Sequence, residues 1–229
     1  MNERTPVITI DGPAGSGKGT ISQRIADRLQ WHILDSGALY RLVGLAAQQK
    51  CLDFDDENSL AEAADQLDVV FKTNDNGGVA IFLEGNDVSL TIRTEEVGTL
   101  ASKVAAKPKV RAALMGRQRR FQVEPGLIAD GRDMGTVVFP DAELKVFLTA
   151  SSEIRAKRRL NQLKQQGING SLRALISDIE KRDERDTNRK DSPLVPATDA
   201  MIIDTGSLSI EEVVGQVFDA VKKMFPSVL

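Results

Sequence analysis

With 229 residues, 41% hydrophobic and 28% charged, the chain can build one large α/β core with one or two excursions, without a metal or disulfide staple. A net charge of −3 and only 4% aromatic residues argue against a nucleic-acid binder, and no run reaches the ~18 apolar residues of a membrane span. The single cysteine, Cys51, excludes an intrachain disulfide and fits a reducing cytoplasm; with His32 as the only histidine, a zinc site of the usual kind is ruled out. Cys51 reads as a small apolar packing residue and His32 as structural. The opening "MNERTPV" carries no apolar leader, so secretion is not expected.

The first element is a strand, "VITID" (7–11), followed by the glycine-rich "GPAGSGKGT". A helix starts near Lys18, with Ile21, Ile25 and Leu29 on its inner stripe and Arg24 and Arg28 outside. "HILDSG" (32–37) is a second strand, and residues 38–67 have a helical pattern. From 68 to 93, strand-like runs are broken by the hairpin signals "NDNGG" and "EGND", which predicts a small antiparallel sheet. Residues 95–122 return to a helical pattern, with Pro108 suited to a first helical position. "GLIADGRD" (126–133), "LKVFLTA" (144–150) and "AMIIDTG" (200–206) are further strands. Short apolar runs of this kind, bounded by turn residues, suit strands buried on both faces of a parallel sheet. Between the last two lies a charged helix pair (151–192) joined at "QQGINGS". The final helix opens with a capping box, Ser209 and Glu212, and continues on the stripe Val213, Val217, Val221. Strands alternating with helices predict an α/β, doubly wound core of roughly five parallel strands.

The glycine-rich stretch carries chemistry. Glycines let backbone N–H groups converge on phosphate oxygens where a β-carbon would intrude, and the following helix adds its positive end. Gly12, Gly17 and Lys18 satisfy the P-loop pattern G-x-x-x-x-G-K-[ST], but Gly19 stands at the hydroxyl position and Thr20 follows it. A plain glycine-rich turn is the competing reading; the preceding strand, the amphipathic helix and the lysine favour a nucleotide. G-x-x-G-x-G-K-G-T resembles the nucleoside monophosphate kinase form of the loop. That resemblance implies ATP as donor, a nucleotide as acceptor, a nucleotide cradle of Gly12, Pro13, Ala14, Gly15, Ser16, Gly17, Lys18, Gly19 and Thr20, and Mg²⁺ served by Thr20.

Bringing two phosphorylated ligands together requires cations around the acceptor. Strand ends offer Ser36, Tyr40 and Arg41 in "DSGALYR" and Arg132 with Asp133 in "DGRDMGTVVFP"; Arg111 comes from a helix. In the helix after Ser171, the stripe Leu172, Leu175, Ile176, Ile179 continues as Arg182, Asp186 and Arg189. This is either an intrahelical salt-bridge ladder or a set of anion clamps over the cleft. The basic segment 151–170, with Arg158, is either a solvated face or a lid over ATP. Asp130 is either a strand-end turn residue or a water-mediated Mg²⁺ ligand.

Taken along almost the whole chain, "DGPAGSGKGT", "LDSGALYR", "VAAKPKVRAAL", "ADGRDMGTVVFPDA", "RDERDTNR" and "DTGSLSIEEV" resemble the bacterial cytidylate kinase family. The resemblance implies that ATP-Mg²⁺ phosphorylates CMP or dCMP, in a cytoplasmic monomer without nucleic acid or membrane partners. It implies Ser102, Arg111 and Asp133 at the cytosine, Arg41, Arg132 and Arg189 at the acceptor phosphate, and Asp186 at the sugar. Lys18, Arg132, Arg158, Arg182 and Arg189 would stabilise the transferring phosphoryl group. Independently, a carboxylate suits the N4 amino donor that distinguishes cytosine from uracil, and Asp133 is placed for that choice. The expected parts are a core (1–37, 123–150, 193–229), an acceptor-binding insert (38–122) and a lid with its following helix (151–192). A UMP or AMP kinase is the nearest rival, and a P-loop switch without an acceptor the more distant one.

Overall fold

In this computed structural model, described here for residues 4–73, 79–165 and 167–226, strand β1 (Val7–Asp11) is buried along its whole length. It lies at the middle of a five-stranded sheet with β2 (His32–Asp35), β6 (Leu127–Gly131), β7 (Leu144–Thr149) and β8 (Met201–Asp204), in the order β2-β6-β1-β7-β8. Every pairing is parallel. The alternating element order dictates this, because each strand returns through a helical crossover or a larger excursion.

The sheet's middle strands meet the expectation of burial on both faces, and its edges do not. β1 and β6 are buried throughout, whereas Ile202 on edge strand β8 is 61% exposed and His32 on edge strand β2 is exposed. Outer strands have a covered neighbour on one side only. The His32 ring places Nε2 2.9 Å from the Glu124 carbonyl oxygen, a structural contact. Cys51 departs from its expected packing role: it is exposed, with φ 52, at a turn after a helix.

Helices α1 (Lys18–Leu29) and α8 (Ile210–Met224) supply the apolar cover. Ile21, Ile25 and Leu29 meet Val213, Val217 and Val221 in one core with Ile8, Ile10 and Val146. Outside it, Arg24 pairs with Glu211, and the Arg28 guanidinium lies 5.4 Å from the Phe218 ring centroid. Glu212 N donates to Ser209 Oγ (3.2 Å) and Ser209 N to Glu212 Oε2 (2.8 Å), closing the capping box. Trp31 meets Phe225 edge-on at 5.4 Å, and a β-carbon on Gly126 would lie 2.3 Å from the Trp31 ring, so only glycine fits there.

The chain forms two compact units, Met1–Asp35 with Arg119–Leu229, and Ser36–Gln118. The second holds α2 (Ser36–Gln49), α3 (Glu57–Asp65), α4 (Glu95–Val104), nearly all of α5 (Pro108–Arg119) and an antiparallel sheet β3-β4-β5. Its strands are β3 (Val69–Thr73), β4 (Val79–Leu83) and β5 (Asn86–Asp87), with Val69 opposite Leu83 and Phe82 opposite Asp87. The "NDNGG" hairpin signal at 74–78 lies outside the described residues. The "EGND" signal is the tight connection from β4 to β5, with Gly85 at φ 81. In this unit α2 and α4 pack closely because position 44 is glycine; a β-carbon there would lie 2.9 Å from Leu100 Cβ. The remaining helices, α6 (Ser152–Gln165) and α7 (Leu172–Thr187), belong to the first unit and pack on each other, with Ser171 Oγ capping α7.

Candidate active site

The loop from Gly12 to Gly17 is shaped by what surrounds it. A β-carbon on Gly12, whose φ is 149, would lie 2.1 Å from the Leu148 carbonyl oxygen, so β1 and β7 can run side by side only with glycine at this position. The chain then turns into α1 with Gly17 as the residue before the helix, φ 97, which has no side chain to cap the helix's first N–H groups. A helix N-terminus with Ser16 Oγ buried beside it, without a hydrogen-bond partner among the described residues, offers donors suited to an anion.

Lys18 extends across this loop. Its Nζ donates to Pro13 O at 3.4 Å and lies 4.0 Å from Asp130 Oδ1. Burial lowers the lysine pKa, and Arg132 and Arg182 push in the same direction, while Asp130 and Asp35 oppose them. Asp35 and Asp130 face each other in register across β2 and β6. Burial raises the Asp130 pKa to about 7; Lys18 opposes that rise, and the like charges of Asp35 and Asp11 add to it. Asp130 is buried and Asp35 exposed. Among the described residues no group of three or more acidic, histidine or cysteine side chains is gathered to hold a metal, so a divalent cation such as Mg²⁺ would draw on these hard oxygens together with phosphate and water oxygens. Gly19 faces this set, its added β-carbon falling 3.4 Å from Asp130 Oδ2, whereas Thr20 is exposed.

Arg182 on α7, Arg189 just past its end and Arg132 just after β6 act on one carboxylate. Asp186, 2% exposed, accepts Arg132 Nε at 2.5 Å. Although burial works against it, the nearby Arg132, Arg189 and Arg182 hold its pKa below the usual carboxylate range. Asp186 therefore reaches out of its own helix to the residue that follows β6. Arg189 Nε donates to the Asp186 backbone carbonyl at 3.2 Å. Arg132 stays charged, since the pull of Asp186, Asp130 and Asp35 outweighs the burial that works against it.

Arg158 donates from both terminal nitrogens to Thr205, to Oγ1 at 3.0 Å and to the carbonyl at 2.6 Å, and reaches Ser16 O at 3.4 Å. Its neighbour one turn back, Arg155, did not stand out in the basic run. It is 4% exposed and donates to Ala150 O (2.9 Å), Ala14 O (3.1 Å) and Asp183, with Nη1 3.1 Å from Oδ1 and Nη2 on Oδ2. One guanidinium thus ties the phosphate loop, the end of β7 and α7 together. Thr205, Asp35 and Asp11 are likewise site neighbours that carried no sequence signal beyond being polar residues at strand ends.

The second unit groups its own candidates. Ser36, Tyr40, Ser102 and Arg111 are buried, and the Arg111 guanidinium sits 5.5 Å from the Tyr40 ring centroid. Ser102 Oγ has no partner among the described residues. Arg41 donates to the carbonyls of Ile92 (2.6 Å) and Thr94 (3.0 Å), fixing the turn that precedes α4.

Asp11 accepts the N–H groups of Met134 (2.9 Å) and Gly135 (2.8 Å), yet its pKa is raised to about 7, chiefly by burial. Its folded value exceeds the unfolded 3.8, so the native state holds the extra proton between those pH values. Stability from this group is full below pH 3.8 and is lost as the pH rises through about 7. Relative to wild type, Asp11→Asn should gain about 3 kcal/mol of unfolding free energy on going from pH 4 to pH 8, read from urea melts. Parallel wild-type and mutant profiles would contradict the shift.

The cytidylate kinase family profile matches residues 8–223. The chain is 58% identical to the cytidylate kinase of Colwellia psychrerythraea over 217 residues, covering 95% of this chain and 96% of that protein. It is 55% identical to the cytidylate kinase of Shewanella sediminis over the full length of both. This chain belongs to the cytidylate kinase family. Among solved structures, an uncharacterized protein from Eubacterium ventriosum shares the fold at a TM-score of 0.50 with 9% identity, covering 95% of this chain and 98% of that one. Members of the cytidylate kinase family act on nucleotides; in this chain Lys18 reaches across the glycine loop, with Arg132 and Arg182 close to it. Among the described residues no helix is long and apolar enough to cross a membrane.

Proposed function

We propose that the chain transfers the γ-phosphoryl group of ATP to CMP or dCMP, giving ADP and CDP or dCDP. An acceptor phosphate oxygen attacks Pγ, the bond from Pγ to the β–γ bridging oxygen breaks, and no general base is needed because the attacking oxygen is already anionic. The observation that carries this reading is the gathering of Arg132, Arg182 and Arg189 on Asp186, with Arg132 and Arg182 close enough to Lys18 to lower its pKa. Those cations absorb the repulsion of two polyanions and follow the charge into the transition state.

Residues 12–20 would cradle the donor phosphates, with Arg158 beside them; Mg²⁺, held through Thr20 and by water from Asp130, would neutralise the β- and γ-oxygens when bound. The insert 38–122 would take the acceptor through Ser36, Tyr40 and Arg41, and the α6–α7 segment would close over ATP and exclude water. Ser102, Arg111 and Asp133 would read the base, Arg41, Arg132 and Arg189 the acceptor phosphate, and Asp186 the sugar. The setting is a cytoplasmic monomer.

Offered ATP-Mg²⁺ with AMP, GMP, UMP, CMP or dCMP, the enzyme should release ADP rapidly only with the two cytosine nucleotides. Equal ADP release without acceptor would point to a switch or ATPase, and preference for UMP or AMP to the nearest rival kinases. Asp133→Ala should lower the CMP-over-UMP ratio of kcat/KM by about tenfold or more while the KM for ATP changes little. An unchanged ratio removes Asp133 from base choice.

A further inference from the structure

Asp11 has no part in the reaction as proposed, yet it is the carboxylate most firmly built into the segment that follows β6. The chain after Asp133 forms a π-helical turn, Met134–Val138, and Asp133 at its N-cap makes no side-chain cap bond to it. The cap comes instead from Asp11, 123 residues earlier, through the Met134 and Gly135 N–H groups. The turn rests directly on the sheet: a β-carbon on Gly135 would lie 2.7 Å from Thr9 Oγ1 and 3.2 Å from Lys145 Cδ. Asp11 is also the residue before Gly12, where the Leu148 carbonyl leaves no room for a side chain. Its two oxygens therefore fix the backbone just after Arg132 and Asp133 to the last residue of β1, next to the phosphate loop.

We infer that Asp11 is a positioning residue for base choice: by capping the Met134–Val138 turn it sets where Asp133 presents its carboxylate to the acceptor's base. This rests on the reading of Asp133 as the residue that selects cytosine. Asp11→Asn is nearly isosteric but replaces one acceptor oxygen with a donor that opposes a backbone N–H, so the turn and Asp133 must shift. Small displacements of positioning groups cost large factors in rate and selectivity.

The test is a double-mutant cycle of Asp11→Asn and Asp133→Ala, read as the ratio of kcat/KM for CMP to that for UMP. Asp11→Asn is expected to lower the ratio by about tenfold and to have no further effect on it in the Asp133→Ala background. Amide exchange at Met134 and Gly135 should quicken in Asp11→Asn. Equal losses with CMP and UMP would mean a structural staple only and overturn the inference, as would an undiminished effect in the Asp133→Ala background. If Asp133→Ala alone leaves the ratio unchanged, the base-choice reading fails and the inference falls with it. If Asp133→Ala lowers the ratio and Asp11→Asn does not, only the inference fails. Should Asp11→Asn not fold, the smaller Asp11→Ser, a single weaker acceptor, is read on the same ratio with the same outcomes.

Discussion

Lys18→Met is expected to retain the fold and to lower turnover with ATP and CMP by about a thousandfold or more, a loss of about 4 kcal/mol in transition-state stabilisation. The methionine keeps the packing of the lysine stem, whose side chain is 13% exposed, and removes only the charge. That charge is held in a desolvated place, between the Pro13 carbonyl and Asp130, where a cation acts on a phosphoryl group far more strongly than in water. Arg132 and Arg182 remain nearby, so part of the positive field survives and binding of ATP should suffer less than kcat. A coupled ADP-release assay beside a circular dichroism spectrum decides it: turnover within tenfold of wild type, with native secondary structure, would remove Lys18 from the chemistry.

Arg155→Met is expected to destabilise the protein by about 3 kcal/mol, lowering Tm by roughly 6–12 °C. The arginine is buried and donates to the carbonyls of Ala14 and Ala150 and to the Asp183 carboxylate, and a methionine can donate to none of them. Its loss leaves Asp183, 26% exposed at the side chain, with an uncompensated charge. The double variant Arg155→Met with Asp183→Leu should recover part of the loss, because replacing both partners with apolar groups removes the stranded charge. Since Arg155 also supports the loop at Ala14 and lies against Gly15, the single variant should raise the KM for ATP as well. A single-variant Tm within about 2 °C of wild type would show the contact to be dispensable.

The sheet was legible because its strands are short apolar runs ended by turn residues, and the capping box marked the start of α8. The helix pair α6 and α7 and the small sheet of the second unit were legible from glycine placement and hairpin signals. The unread parts share one cause, which is that side-chain identity does not say which way a residue faces. In "RAKRR" the charges look alike, and only the packing of α6 on α7 buries Arg155 while leaving Lys157 exposed. Asp11 reads as the polar end of a strand; nothing local indicates that its cap lies 123 residues away. The π-helical turn has no periodic signature over so few residues. Cys51 is small and apolar by type, yet a left-handed turn at φ 52 puts it at the surface.

The central position of β1 has a consequence during translation. The strand emerges among the first dozen residues, but its partners β6 and β7 are made more than a hundred residues later. At ribosomal speeds of ~5–20 residues per second, Val7, Ile8 and Ile10 wait roughly six to thirty seconds without neighbours. A nascent chain stalled before residue 127 would carry an orphan sticky segment, so a truncated product of this protein is an aggregation hazard.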